Sequence, residues 1–216
     1  MNTPFDMTPG YIHKTTKYGD FKIIQYKRNN DVTIEFLNTG FITKTQSSHI
    51  RRDGQVKDPY AKIIKGVACK GMSNSTSKSK AYITWIGMVS RCYCKKTQDK
   101  HPTYKGCSVC DEWLCFEVFE KWYCENYPKD GLKYHLDKDI KVDGNRIYSP
   151  ETCMFVTQRD NNQKAKSKNY ELKNPQGLIV RIYNLAKFCK EHDLNQANLR
   201  SVLKGTRNHH KGYTRA

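Results

Sequence analysis

In the stretch "YHLDKDI", His135, Asp137 and Asp139 fall at every second position. An extended strand alternates its side chains between faces, so this spacing puts an imidazole and two carboxylates on one face and Lys138 on the other. Carboxylates crowded on one face repel each other, and a divalent cation relieves the repulsion. Oxygen donors such as Asp and Asn suit a hard ion, Mg²⁺ above all. The residues that follow complete a small unit: "VDGN" turns the chain, "YSP" leads to a second short strand in "TCMFVT", and "QRDNNQKAK" starts a polar helix. The order is β-β-α, and Asn161, in the first turn of the helix, is expected to face Asp137 across the fold. Asp139 and Asn162 also have plainer readings, as a loop-capping carboxylate and a solvated helix residue.

The cysteines form a second set. There are nine, an odd number, in a chain whose start lacks a secretory pattern, so thiols or metal ligands are expected rather than a disulfide framework. Cys107 and Cys110 form a CxxC in "GCSVC", and Cys92, Cys94 and Cys153 are candidates to complete four thiolates. The set Cys92, Cys107, Cys110 and Cys153 would hold a structural Zn²⁺. The alternative is a group of buried thiols, and Cys115, Cys124 and Cys189, on helical segments, are expected to pack.

These residues need elements to position them. "SKAYITWIGMVSRCY" places Trp85, Met88, Val89 and Cys92 at helical spacing, and "DEWLCFEVFEKWYCENY" does the same with Trp113, Phe116, Phe119 and Trp122. Two core helices should therefore precede the β-β-α unit. Further upstream, "FKIIQY", "DVTIEF" and "FITKT" read as strands separated by the turn residues of "KRNND" and "LNTG". That module is either a scaffold or a DNA-contacting sheet. "GMSNSTSKSK", residues 71–80, is too polar to bury a core and reads as a linker.

The carboxyl end reads as a basic tether followed by two short helices. "NLAKFCKEHDLNQANLRSVLKG" carries apolar Leu185, Phe188 and Cys189, then Leu199, Val202 and Leu203, with Asn184 and Asn195 as amino caps and Gly205 at the far end. A helix-turn-helix would put Gln196, Asn198, Arg200 and Lys204 on or near the polar face of its second helix. A plain helical hairpin is the other reading.

Composition narrows the class of partner. The formal charge is +17, from 38 basic and 21 acidic side chains, and residues 161–216 hold 12 of the basic and 3 of the acidic ones. A polyanion, nucleic acid first, is the natural partner for such an excess. No run approaches the roughly 20 apolar residues that span a bilayer, and no amphipathic or lipidated segment is visible, so no membrane partner and a cytoplasmic location are expected.

The pieces "WIGMVSRCY", "YKGCSVCDEW", "LDKDI", "YSPETCMFV" and "VTQRDN" together resemble the HNH endonucleases, particularly the phage-type homing enzymes and AP2-associated phage HNH proteins. The ending "VLKGTRNHHKGY" is similar to that of intron-encoded members, in which a tether and terminal helices extend the contact along DNA. The likeness covers roughly residues 80–216. It implies a phage-encoded enzyme working in the host cytoplasm, with one Mg²⁺ or Mn²⁺ held by Asp137 and Asn161. The chain departs from the pattern twice. Many members place a His base directly after the Asp, where this chain has Lys138, which is protonated at its usual pKa; His135 is the substitute, a structural His the alternative, and Lys138 a phosphate contact. The middle Asn of the motif corresponds to Thr152, so its paired amide hydrogen bonds would pass to Asn145.

The resulting expectation is a modular α+β protein: a β module over 1–70, a linker over 71–80, an HNH ββα-metal nuclease domain over 81–163, a basic tether over 164–177 and a helix-turn-helix tail over 178–216. It would act as a monomer on double-stranded DNA, with a transient dimer as the alternative. Its catalytic residues would be His135, Asp137, Lys138 and Asn161. DNA contacts would come from Lys164, Lys166, Lys168, Gln196, Asn198, Arg200, Lys204 and Arg207. A DNA-binding regulator with a degenerate HNH core and an RNA-binding zinc protein are the competing expectations.

Overall fold

A computed structural model describes residues 3–142, 144–166 and 170–216, with the side chains of residues 163–166 outside that description. By its internal contacts the chain divides into two units, Met1–Gly131 with Leu136–Phe155 and Leu132–His135 with Val156–Ala216.

The first unit opens with a four-stranded antiparallel sheet: β1 (Ile12–His13), β2 (Phe21–Arg28), β3 (Asp31–Phe36) and β4 (Ile42–Thr45), in that spatial order. Alternation decides which face is covered. Val32, Ile34 and Phe36 of β3 and Phe21 and Ile23 of β2 are buried, while their neighbours are not. The short helix α1 (Ser47–Ile50) follows, and Ile50, Val56 and Ala61 join the same core.

The helical stripes also fold as their spacing predicts, with one exception. In α2 (Lys80–Tyr93) the stripe Trp85, Met88, Val89 and Cys92 is buried, and the Ser79 hydroxyl caps the helix by accepting from the Tyr82 N–H at 3.1 Å. After α3 (Lys95–Lys100) and the two-residue strand β5 (Ser108–Val109), "DEWL" forms a separate 3₁₀ turn, and α4 runs Phe116–Asn126. The break comes at Cys115, whose backbone is extended. Trp85 donates its indole N–H to the Trp113 carbonyl at 2.7 Å, which satisfies a buried donor. Trp122 is only half-buried, packed on Trp113 and Phe155.

The start of the stretch 71–80 is tied down, although its composition reads as a linker. Gly71 donates to the Pro59 carbonyl, Met72 N–H to Glu117 Oε2, and Ser73 Oγ to Glu120 Oε2. One polar side chain, Ser73, finds a carboxylate on α4, while Asn74, Thr76, Ser77 and Lys78 remain exposed.

Three strands carry the region around Asp137: β6 (Tyr134–Asp137), β7 (Ile147–Tyr148) and β8 (Met154–Thr157). β6 pairs with β8, and β7 lies parallel to β5, with Ser108 opposite Ile147 and Val109 opposite Tyr148. The boundary between units passes through the β6 and β8 strands themselves.

The second unit continues with α5 (Gln158–Lys166), the hairpin β9 (Tyr170–Lys173) and β10 (Ile179–Ile182), helices α6 (Leu185–Glu191) and α7 (Gln196–Leu203), and strands β11 (His209–His210) and β12 (Tyr213–Arg215). These strands form one antiparallel sheet in the order β10-β9-β12-β11. Asn184 and Asn195 cap α6 and α7 as their positions predict, accepting from Lys187 and Asn198 N–H. The unit is nevertheless more than a tether and two helices. β9 lies inside the stretch expected to be a tether, and its Leu172 is fully buried among Ile182, Leu185, Leu199 and Val202. A four-residue strand with one inward aliphatic side chain gives too little periodicity to read. Among the described residues no helix is long and apolar enough to cross a membrane.

Candidate functional site

Asp137 ends β6 and shapes the bend that follows. Its Oδ1 accepts from the backbone N–H groups of Asp139 and Ile140, both at 2.8 Å, so the carboxylate holds the chain as it leaves the strand. Oδ2 has no hydrogen bond among the described residues. The strand stops here, which moves Asp139 off the face that period two assigned to it. His135 lies two residues earlier on the strand and is half-buried.

Lys138 turns inward. Its residue is 8% exposed, and its ammonium donates to Asp139 Oδ1 and to the Asn145 carbonyl at 2.6 Å, lying 5.9 Å from the centre of the Tyr148 ring. A lysine bonded in this way pins the loop between β6 and β7, and it is not directed to a phosphate in this arrangement.

Asn145 braces the same loop from the other side. Its amide nitrogen donates to the carbonyls of Lys138 (2.8 Å) and Ile147 (2.7 Å), and its Oδ1 accepts from the Ile147 N–H at 3.2 Å. Thr152 makes a smaller contribution, one hydroxyl bond to the Ile147 carbonyl and one contact with Ser149 Oγ. An amide donates twice and accepts as well, which a hydroxyl cannot match.

Sequence reasoning missed the aromatic and cationic group beneath the loop. Arg91, in the last turn of α2, donates from Nε to the Tyr148 hydroxyl at 3.2 Å, and its guanidinium lies 5.4 Å from the Tyr104 ring centre and 5.6 Å from that of Tyr148. Burial pushes the Tyr148 phenol above its ordinary pKa, so it stays protonated. The only sequence signal for this group is an arginine interrupting an apolar helix next to the CxxC region.

In the second unit, α5 starts with a reciprocal cap: Thr157 Oγ1 donates to Asp160 Oδ2 at 2.7 Å and accepts from the Asp160 N–H. Asn161 is the fourth residue of the helix and is half-buried; Asn162 is exposed and accepts from Gln158. Asp137 belongs to the first unit and His135 and Asn161 to the second.

Of the four thiols expected to hold zinc, Cys107 and Cys153 lie close enough to Cys92 to act on it electrostatically. Among the described residues no three His, Cys, Asp or Glu side chains converge as a metal site. The CxxC lacks the tight turn such a site needs, because the intervening Ser108–Val109 is the strand β5. Cys92, Cys107 and Cys153 are buried and all nine cysteines are free thiols. Burial pushes Cys92 up to about 12 and Cys110 and Cys153 up to about 11.

Of the expected DNA contacts, Arg200, Lys204 and Arg207 are exposed on or just after α7, and Gln196 and Asn198 are half-buried in its first turn. Arg207 Nε donates to the His209 carbonyl. Lys164 and Lys166 lie in α5 with side chains outside the described set, and Lys168 lies outside the described residues.

No protein-family model matches this chain, and neither does any curated protein. A solved structure titled "DNA binding and cleavage by the HNH homing endonuclease I-HmuI" is similar over 45% of this chain and 64% of that one, at 24% identity and a TM-score of 0.23. The match thus spans a little under two thirds of the solved chain, and a superposition at that score bears on neither the shared fold nor the site.

Proposed function

We propose that the protein is a DNA endonuclease of the HNH homing type that hydrolyses phosphodiester bonds in duplex DNA. The observation that carries this reading is the β6–β7 loop, where Asp137 is fixed by two backbone donors at a strand end and braced from below by Lys138 and Asn145. The sequence motif around it and the basic excess support the same reading.

Asp137 and Asn161 are the assigned metal ligands, an assignment that rests on the motif. One carboxylate and one carboxamide oxygen fit Mg²⁺ or Mn²⁺, because Mg²⁺ keeps several waters and takes substrate phosphate as a further ligand. A site of that kind needs no third protein carboxylate, unlike the zinc quartet. An ion held by Asp137 and Asn161 would supply electrostatic stabilisation of the scissile phosphate and its leaving oxygen. Asp137, held through Oδ1, has Oδ2 left for an ion. His135, two residues before Asp137 on β6, is the assigned base that takes a proton from the attacking water. Exposed Arg200, Lys204 and Arg207 are assigned to phosphate contacts around α7, and Gln196 and Asn198 to base edges.

Lys138 favours a second reading, a DNA-binding regulator, because it stands where the family places a base and is bonded inside the loop. Supercoiled plasmid carrying DNA that flanks the gene, incubated with Mg²⁺, separates the two. Nicked or linear product is expected, lost on adding chelator and reduced at least about a hundredfold in Asp137→Ala and Asn161→Ala, with gel-shift binding retained. Undiminished cutting by both variants removes the site assignment; a mobility shift without any cutting leaves the regulator.

A further inference from the structure

Cys69 and Cys115 are far apart in sequence and adjacent in space, within the first unit and away from the β6–β7 loop. They are partners in an isolated parallel β-bridge, with Cys69 N–H donating to the Leu114 carbonyl (2.9 Å) and Phe116 N–H to the Cys69 carbonyl (3.0 Å). Bridge partners sit about 5 Å apart, inside the span of Cα separations that a disulfide requires. Cys69 is buried and Cys115 half-buried. The surroundings are tight: a Cβ at Gly71, whose φ is +66°, would lie 2.8 Å from Cys115 Sγ, so the sulfur lies directly against bare backbone.

The two thiols are not equivalent. Cys115 occupies the amino cap of α4, an 11-residue helix. The Cys69 side chain beside it, and then the N–H groups of Val118 and Glu117, hold it well below the ordinary thiol range despite the opposing effects of burial and the Glu117 carboxylate. Cys69 moves the other way, raised by Cys115 and by burial. Cys115, half-buried at the amino end of α4 where the helix favours negative charge, is the more accessible of the two, and buried Cys69 stands beside it, the arrangement of an attacking and a resolving cysteine.

We infer that Cys115 is a peroxide-reactive nucleophile and that Cys69 resolves it, giving a reversible Cys69–Cys115 disulfide. In the first step Cys115 sulfur attacks hydrogen peroxide; an S–O bond forms, the O–O bond breaks, sulfur is oxidised to sulfenic acid and the departing hydroxide leaves as water after taking a proton. In the second, Cys69 sulfur attacks the sulfenic sulfur, the S–S bond forms, the S–O bond breaks, and the Cys69 proton leaves with the hydroxide as a second water. The linkage fastens the segment after the amino-terminal sheet to the start of α4.

The test uses the full chain treated with an equimolar amount of hydrogen peroxide, quenched by alkylation and mapped by mass spectrometry. A Cys69–Cys115 linked peptide lighter by two hydrogens, reversed by dithiothreitol, is the expected product. Cys69→Ser should leave Cys115 as a sulfenic acid trapped by dimedone, and Cys115→Ser should leave Cys69 unmodified. With iodoacetamide at pH 6.5, Cys115 should react about tenfold or more faster than the exposed Cys124. Oxidation confined to Cys124, linkage of any other pair, or alkylation of Cys115 no faster than Cys124 overturns the proposal. The map of the unmodified chain decides this even where a serine variant does not fold, and DNA cutting enters none of these readouts.

Discussion

Lys138 keeps its ammonium inside the loop, bonded to the Asp139 carboxylate and the Asn145 carbonyl. Lys138→Met preserves the aliphatic length and removes the donor, leaving a carbonyl unsatisfied, so a loss of about 1–3 kcal/mol of stability is expected; urea unfolding of the variant measures it. An unchanged midpoint would show that the ammonium does not brace the loop. The sequence placed Asp137 within a strand expected to continue past Asp139, and Asn161 in the first turn of a helix, since period two and a run of polar residues are local signals. It offered Asn145 for the amide role but showed neither which carbonyls that amide meets nor that Lys138 points inward. Both depend on a turn whose hydrogen bonds link residues 138, 145 and 147, and no periodicity encodes such a link.

Among elements, the second unit departs furthest from its sequence reading. The caps of α6 and α7 were legible because Asn at a helix start is a one-residue signal. The sheet behind them was not, since its strands run from two to four residues. One of those short strands joins the helices by a titratable link: His210 of β11, 8% exposed, accepts from the Asn195 N–H at 3.0 Å through Nε2. Burial, followed by the charges of Arg207, Lys211 and His209, holds its pKa below the ordinary 6.5. Between the folded and unfolded values the unfolded chain binds more protons, so this contribution to stability is fully present above pH 6.5 and is lost as pH falls toward the folded value. Chemical denaturation between pH 5 and 8 should show that fall in the native chain and a flatter profile in His210→Gln; parallel profiles would assign the slope to other groups.

For the whole molecule, charge is the feature that composition fixes and folding only distributes. Residues 161–216 carry 12 of the 38 basic side chains against 3 acidic ones, and Arg200, Lys204 and Arg207 are exposed there. DNA affinity should therefore fall linearly with the logarithm of salt concentration, and replacing Arg200 or Lys204 by Ala should lower that slope by about 1 if each meets a phosphate. Filter binding across a salt series reads the slope directly, and an unaltered slope in both variants would move the phosphate contacts off α7. The parallel pairing of β5 with β7 has a different kind of consequence, one of timing. Ser108 meets Ile147 only after the whole intervening chain, including Asp137 and its bend, has been brought round. Closing so long a loop costs entropy before the strand contacts return any stability, which makes the cradle of the proposed reaction a late arrival in folding, set once the aromatic helices beneath it already stand.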